Sequence, residues 1–111
     1  MAYDAALAQR VREVLAELES PGLAEKDMFG GIVFMVRGNP ACGVLKDALI
    51  VRVGPERYQR AITYSYTRPL DLTGTPMQGW IIVATDGHKA DDTLAYWVRQ
   101  GVKFACSLPA K

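Results

Sequence analysis

The sequence is short of the residues that most active-site chemistry requires. It contains a single histidine and two cysteines. Structural zinc takes a tetrahedral set of nitrogen and sulfur ligands, and Cys42, Cys106 and His88 fall short of one. No apolar run approaches the roughly 20 residues needed to cross a bilayer. The stretch from Met1 to Arg10 lacks a basic segment followed by an apolar one, so no secretory leader is expected. The expected location is cytoplasmic, with both cysteines as free thiols. Neither sign of charge is in excess, since 13 basic residues stand against 12 acidic ones. Nucleic-acid binders usually carry a basic surplus, because phosphate contacts dominate their affinity. Here acids are interleaved with the basic residues, as in Arg10-Val11-Arg12-Glu13 and Glu56-Arg57. That pattern argues against direct binding to nucleic acid. Internal repeats, linkers and low-complexity stretches are also missing, so residues 1–111 read as a single domain.

What remains is globular in character. Half of the 111 residues are hydrophobic and 23% are charged, a balance that separates the chain from disordered sequences. A chain of this length can bury one hydrophobic core without disulfide or metal staples.

Ala5 to Glu19 has Leu7, Val11, Val14, Leu15 and Leu18 at three- and four-residue steps, which predicts an amphipathic helix capped by Asp4. Ser20-Pro21-Gly22 stops it. Ile32 to Val36, Ala41 to Leu45 and Ala48 to Val53 are rich in apolar and β-branched residues and read as strands. Turns are expected at Gly38-Asn39-Pro40 and Lys46-Asp47. Short turns imply an antiparallel meander. Gly54-Pro55-Glu56 opens a second helix with proline near its first position. Arg68 to Leu72 reads as a short strand, Thr73 to Pro76 as a loop, and Trp80 to Thr85 as the last strand. A final helix starts near Asp91 or Asp92, with Leu94, Trp97, Val98, Gly101, Phe104, Ala105 and Leu108 on its buried face. The expected fold is α+β, a two-layer arrangement of an antiparallel five-stranded sheet with helices packed on it, in the order α-β-β-β-α-β-β-α.

A sheet with one covered face should alternate apolar and polar residues. Ile32 to Val36 and Trp80 to Ala84 are apolar on both faces. Ile50 lies opposite Leu49 and Val51. Such a face is expected either to meet a second subunit or another protein, or to be covered by the second helix or by the segments that start at Met28 and Arg68.

Several residues invite a chemical reading. Cys42 would need a base or a positive site to act as a nucleophile. His88 reads as an exposed loop residue. Phe29-Gly30-Gly31 precedes a strand, whereas phosphate-cradling glycines precede a helix, so a bend is the better reading. Trp97 belongs to the apolar stripe of its helix, while Trp80 opens a strand and fits either core or interface. Arg52, Arg68 and Asp71 stand where a guanidinium or a carboxylate could recognise an anion or a partner. An internal Arg–Asp ion pair that fixes the loop is the structural alternative. No catalytic set, cofactor site or metal site is expected.

Read in order, Met28-Phe29-Gly30-Gly31, Gly38-Asn39, Ala41-Cys42-Gly43 and Val51-Arg52-Val53-Gly54-Pro55-Glu56 form a recognisable set. Arg68-Pro69 with Asp71, Thr73-Gly74, Pro76-Met77, Gly79-Trp80, Trp97, Phe104-Ala105 and Ser107-Leu108-Pro109 complete it. The set resembles the N-terminal domain of the TfoX/Sxy family over almost the whole chain. Pro40 stands where a larger apolar residue such as methionine is expected. Leu70 and Leu72 stand where methionine and phenylalanine are common. The resemblance implies an α+β domain with an antiparallel sheet. Members with both halves regulate natural competence in bacteria as co-activators of transcription, a role that normally involves a second, C-terminal domain. The sequence ends at Lys111, so a stand-alone domain is expected. The resulting expectation is a non-enzymatic regulatory or adaptor module that acts through self-association or contacts with another protein. The alternative is a small ligand-binding or enzymatic domain with a pocket near Arg52, Arg68, Asp71 and Cys42. Candidate contact residues are Arg52, Arg68, Asp71 and Trp80.

Overall fold

A computed structural model describes residues 3–18, 22–28, 30–71, 74 and 76–109. Helix α1 spans Ala5–Glu17. Its N-terminus is held by Asp4, whose Oδ1 accepts from the amides of Ala6 at 2.9 Å and Leu7 at 3.1 Å. Leu7, Ala8, Val11 and Leu15 make its buried stripe. Strands β1 (Leu23–Met28), β2 (Gly31–Val36), β3 (Asn39–Leu45) and β4 (Ala48–Arg52) follow as a meander. Then come α2 (Pro55–Ala61), β5 (Thr67–Asp71), β6 (Pro76–Val83), α3 (Thr85–His88) and α4 (Asp91–Cys106).

The sheet has six strands in the order β1-β2-β3-β4-β6-β5, all antiparallel. The sequence pattern predicted five. The added strand is β1, whose residues from Leu23 to Asp27 are all exposed. It carries Glu25, Lys26 and Asp27 and shows no apolar face for a pattern to detect. Charged side chains on an edge strand discourage pairing with other chains. The short helix α3 was also unforeseen, and it takes residues that were assigned to the end of the last strand and the following turn.

The β2–β3 turn lies earlier than expected. Arg37 and Gly38 take φ of 55° and 82°, the all-positive pattern of a two-residue hairpin turn. Asn39 and Pro40 therefore begin β3. A proline in a central strand is tolerated here because the β2–β3 register shifts between Phe34 and Met35, where Met35 faces Pro40. The turn at Lys46-Asp47 is where the sequence placed it. Glu19, Ser20, Pro21, Phe29, Leu72, Thr73 and Thr75 lie outside the described residues.

Cross-strand pairing sets the two faces. One row runs Ile32, Val44, Leu49, Val83 and the next runs Phe34, Cys42, Val51, Ile81. All eight are buried beneath α1, α2 and α4 in the main core. Helix α4 sits close to β3: a Cβ built on Gly101 would stand 2.3 Å from the Ala41 carbonyl oxygen.

The opposite face carries the row Val33, Gly43, Ile50, Ile82, flanked by Lys26 on β1 and Arg68 on β5. Val33, Ile50 and Ile82 are buried and form a second, smaller core with Leu70. Met28, Met35, Leu45, Ala48, Met77 and Trp80 pack against it. The double-sided apolar pattern is thus explained inside one chain. Residues from the Met28 segment and from β5 and β6 shield most of this face. No described helix is long and apolar enough to cross a membrane.

Candidate functional site

The shielding of the second face is incomplete, and the gap is a pocket of about 240 Å³. Strand register builds it. Arg52 closes β4 and faces Trp80 of β6 directly. The Gly79 carbonyl accepts from the amides of Val53 at 2.8 Å and Gly54 at 3.1 Å, which fixes the end of β4 against Gly79, the neighbour of Trp80. Val33 and Ile50 contribute from the sheet, Leu70 and Met77 from the β5–β6 pair, and Met28 from the edge.

Arg52 is the single charged residue in this lining. Its guanidinium carbon lies 5.2 Å from the centre of the Phe104 ring, a cation–π contact that steadies the head group. The ion pairs found among the described residues are Arg10–Asp91 and Arg12–Glu25, so Arg52 has no carboxylate partner there. An apolar hollow with one arginine in its lining is suited to a ligand or side chain that pairs an apolar body with an anionic end.

Two of the four residues singled out in the sequence, Arg52 and Trp80, thus meet at one site. Arg68 and Asp71 do not join them. Arg68 is exposed on the edge strand, at the end of the Ile82 row. Asp71 turns inward on its own loop, where Oδ1 accepts from the Gly74 amide at 2.7 Å. The internal Arg–Asp ion pair considered as the structural alternative is not formed. Asp71 makes a local carboxylate-to-amide bond instead. Leu70, between them, is the residue that reaches the second core.

Cys42 is in the main core, and burial alone pushes its thiol up to about 12 from 9.0. A thiol held neutral in this way is a packing group and not a nucleophile. His88, expected in an exposed loop, is buried at the end of α3, only 4% exposed. Its Nε2 meets the Asp47 carbonyl at 2.9 Å and its own carbonyl accepts from Arg10 at 3.1 Å. It ties α3 and α1 to the β3–β4 turn. Gly30 has φ of 78° between β1 and β2, and the glycines lead into a strand, the bend that the sequence suggests. No group of three or more His, Cys, Asp or Glu that could hold a metal occurs among the described residues.

Trp97 is core, as its stripe implied, but its ring edge supports a feature the sequence reading missed. Tyr64 and Tyr96 stack on one another at 6.3 Å, and Trp97 meets them edge-on at 5.3 and 5.0 Å. The signal was present as Tyr64-Ser65-Tyr66 after α2 and as Tyr96 beside Trp97.

A family model described as the TfoX N-terminal domain matches residues 13–105. The chain belongs to the TfoX N-terminal domain family. No curated protein and no solved structure matches it significantly. The TfoX match begins within α1 and ends within α4, so the whole sheet and every residue lining the Arg52–Trp80 pocket fall inside it.

Proposed function

We propose that this TfoX-type domain is a non-enzymatic regulatory module that acts by holding another protein, with the Arg52–Trp80 pocket as its grip. The observation that carries the reading is the pocket itself: a mainly apolar lining with one charged residue, Arg52, which belongs to no ion pair among the described residues. At about 240 Å³ it falls below the roughly 300–1,000 Å³ of most small-molecule sites. It matches one large apolar side chain, the kind of anchor on which interface energy concentrates. Arg52 would pair with a carboxylate beside that anchor, and Arg68 would lie further out along the same face. The sheet edges are poor docking sites by comparison, since β1 is charged and β5 contains Pro69. Family membership fits a link to transcription or competence regulation, and a face that grips another protein is the form such a role would take.

A second reading is a small ligand-binding domain, because an apolar carboxylic acid would satisfy the same pocket. The experiment that separates them is selection from a random peptide library, followed by mapping on the methionine methyls of Met28 and Met77. Peptides with an aromatic or aliphatic residue next to Asp or Glu should be enriched and should shift both methyls. Arg52→Gln should weaken them about tenfold, the worth of one charge-assisted contact. Failure of every selected peptide to move those methyls, together with native mass spectrometry showing a bound organic acid, would transfer the pocket to the second reading.

A further inference from the structure

The surface that the sequence reading missed lies on the helix side of the sheet, away from the Arg52–Trp80 pocket. Tyr64, Tyr66 and Tyr96 are 39%, 56% and 39% exposed. With Leu23 on the distant edge strand, they are the large hydrophobic residues left open to solvent among those described. Two hollows of about 230 and 490 Å³ share Tyr64, Tyr96 and Trp97. The Tyr64–Tyr96 stack, at an interplanar angle of 12° and braced by Trp97, is an ordered aromatic platform. Little side-chain entropy remains to be lost when a partner lands on such a platform.

Tyr66 adds a second sign. Its φ is 67°, a left-handed conformation that bulky residues rarely adopt. The conformation is held by the Ala84 amide, which donates to the Tyr66 carbonyl at 2.8 Å. It also depends on Gly87, where a Cβ would stand 3.0 Å from the Tyr66 Cβ. Strain kept at an exposed aromatic residue is characteristic of recognition sites.

The charge around the platform is one-sided. Arg57 and Arg60 line the smaller hollow. Arg57 donates to Gln100 Oε1 at 2.9 Å, and neither arginine belongs to an ion pair among the described residues. Asp86, in the larger hollow, is the only acid lining either. Exposed tyrosines next to unpaired arginines are the composition of protein–protein hot spots.

We infer that Tyr64, Tyr66 and Tyr96, with Arg57 and Arg60, form a second docking surface that takes an acidic segment of a partner protein carrying aromatic or apolar side chains. Charge complementarity selects the acidic partner. Single-stranded nucleic acid is the poorer fit, because it needs a longer basic groove. Here Arg57 and Arg60 are the basic residues lining the two hollows, and the chain's net charge is only +1. This surface stands independently of the Arg52–Trp80 pocket.

The test uses three labelled probes: a ten-residue peptide alternating Glu and Phe, the same peptide with Gln for Glu, and a ten-nucleotide oligothymidylate. Binding is followed by fluorescence anisotropy and mapped by amide chemical shifts. The Glu/Phe peptide should shift amides in residues 57–66 and 93–100 and bind at least about tenfold more tightly than the Gln/Phe peptide. Arg57→Gln/Arg60→Gln should remove most of that advantage, and thermal melts would confirm that these exposed changes leave folding intact. Equal binding of both peptides, shifts confined to Met77 and Trp80, or tighter binding of the oligothymidylate would each overturn the proposal. So would a concentration-dependent dimer that occupies the patch and is abolished by Tyr64→Ala.

Discussion

Cys42 shows how far a single residue's environment can reverse what its identity invites. The thiol is the most reactive group in the sequence, and the fold surrounds it with Phe34, Val51 and their neighbours until only its volume counts. Its raised folded-state value has a consequence for stability. Between about 9 and 12 the unfolded chain loses the thiol proton while the folded chain keeps it. The native state then binds more protons, so stability must fall as pH rises through that window. The slope from this one group approaches about 1.4 kcal/mol per pH unit and ends where the folded thiol itself ionises. Denaturant unfolding of the native chain and of Cys42→Ala, compared at pH 8, 9 and 10, should show the difference in their stabilities shrinking as pH rises. A difference that stays constant would mean that the thiol is not isolated from solvent. Burial at His88 was equally invisible in the sequence. Its neighbours Gly87 and Lys89 looked like those of a loop, and only the arrival of Asp47 from the β3–β4 turn gives its ring a partner.

Elements with a strong internal pattern were legible, and elements defined by their neighbours were not. Helices α1 and α4 could be read because one stripe of each is apolar and a capping residue or a stop signal marks an end. Strand β1 has neither stripe nor alternation. It exists because β2 offers it a free edge, and that is a property of β2. Pairing across strands also decides the site. Arg52 and Trp80 are far apart in sequence, and their direct register in β4 and β6 is what joins them. Glycine is where an element's dependence on its neighbour can be tested. Gly101→Ala would place a methyl 2.3 Å from the Ala41 oxygen, a backbone atom in a central strand that cannot swing aside. Helix α4 would have to lift from β3, at a cost of about 1–3 kcal/mol. Gly74→Ala meets nothing within 4 Å, although its φ of 88° still strains any side chain. Denaturant midpoints should therefore show the larger loss at Gly101, with an altered near-ultraviolet signal from Trp97 one helical turn away. At Gly74 that signal should be unchanged.

At the scale of the whole molecule, the six-stranded sheet separates the two surfaces proposed above for recognition, which differ in kind. The main core lies between the helices and one face, and the tyrosine–arginine platform sits on the outside of those helices. The smaller core lies on the other face and opens through the Arg52–Trp80 pocket. An adaptor needs two surfaces that can be filled at the same time, and a closed layer of core residues such as Leu49, Val51 and Ile81 separates these two. Packed cores resist graded deformation, so filling one surface should leave the other unchanged. The prediction is energetic independence. A peptide selected for the pocket and the Glu/Phe peptide should bind together to one chain, each within about 0.5 kcal/mol of its affinity alone, the tolerance expected for distant sites without shared partners. Trp80→Ala should weaken only the first, and Tyr64→Ala/Tyr96→Ala only the second. Isothermal titration of each peptide against the chain saturated with the other measures this directly. A coupling larger than about 1 kcal/mol would show that the sheet transmits occupancy from face to face. In that case the domain would be a switch whose one partner controls the other, and the register pair Arg52–Trp80, tied through Gly79 to the start of α2 at Gly54, would be the first place to look for the connection.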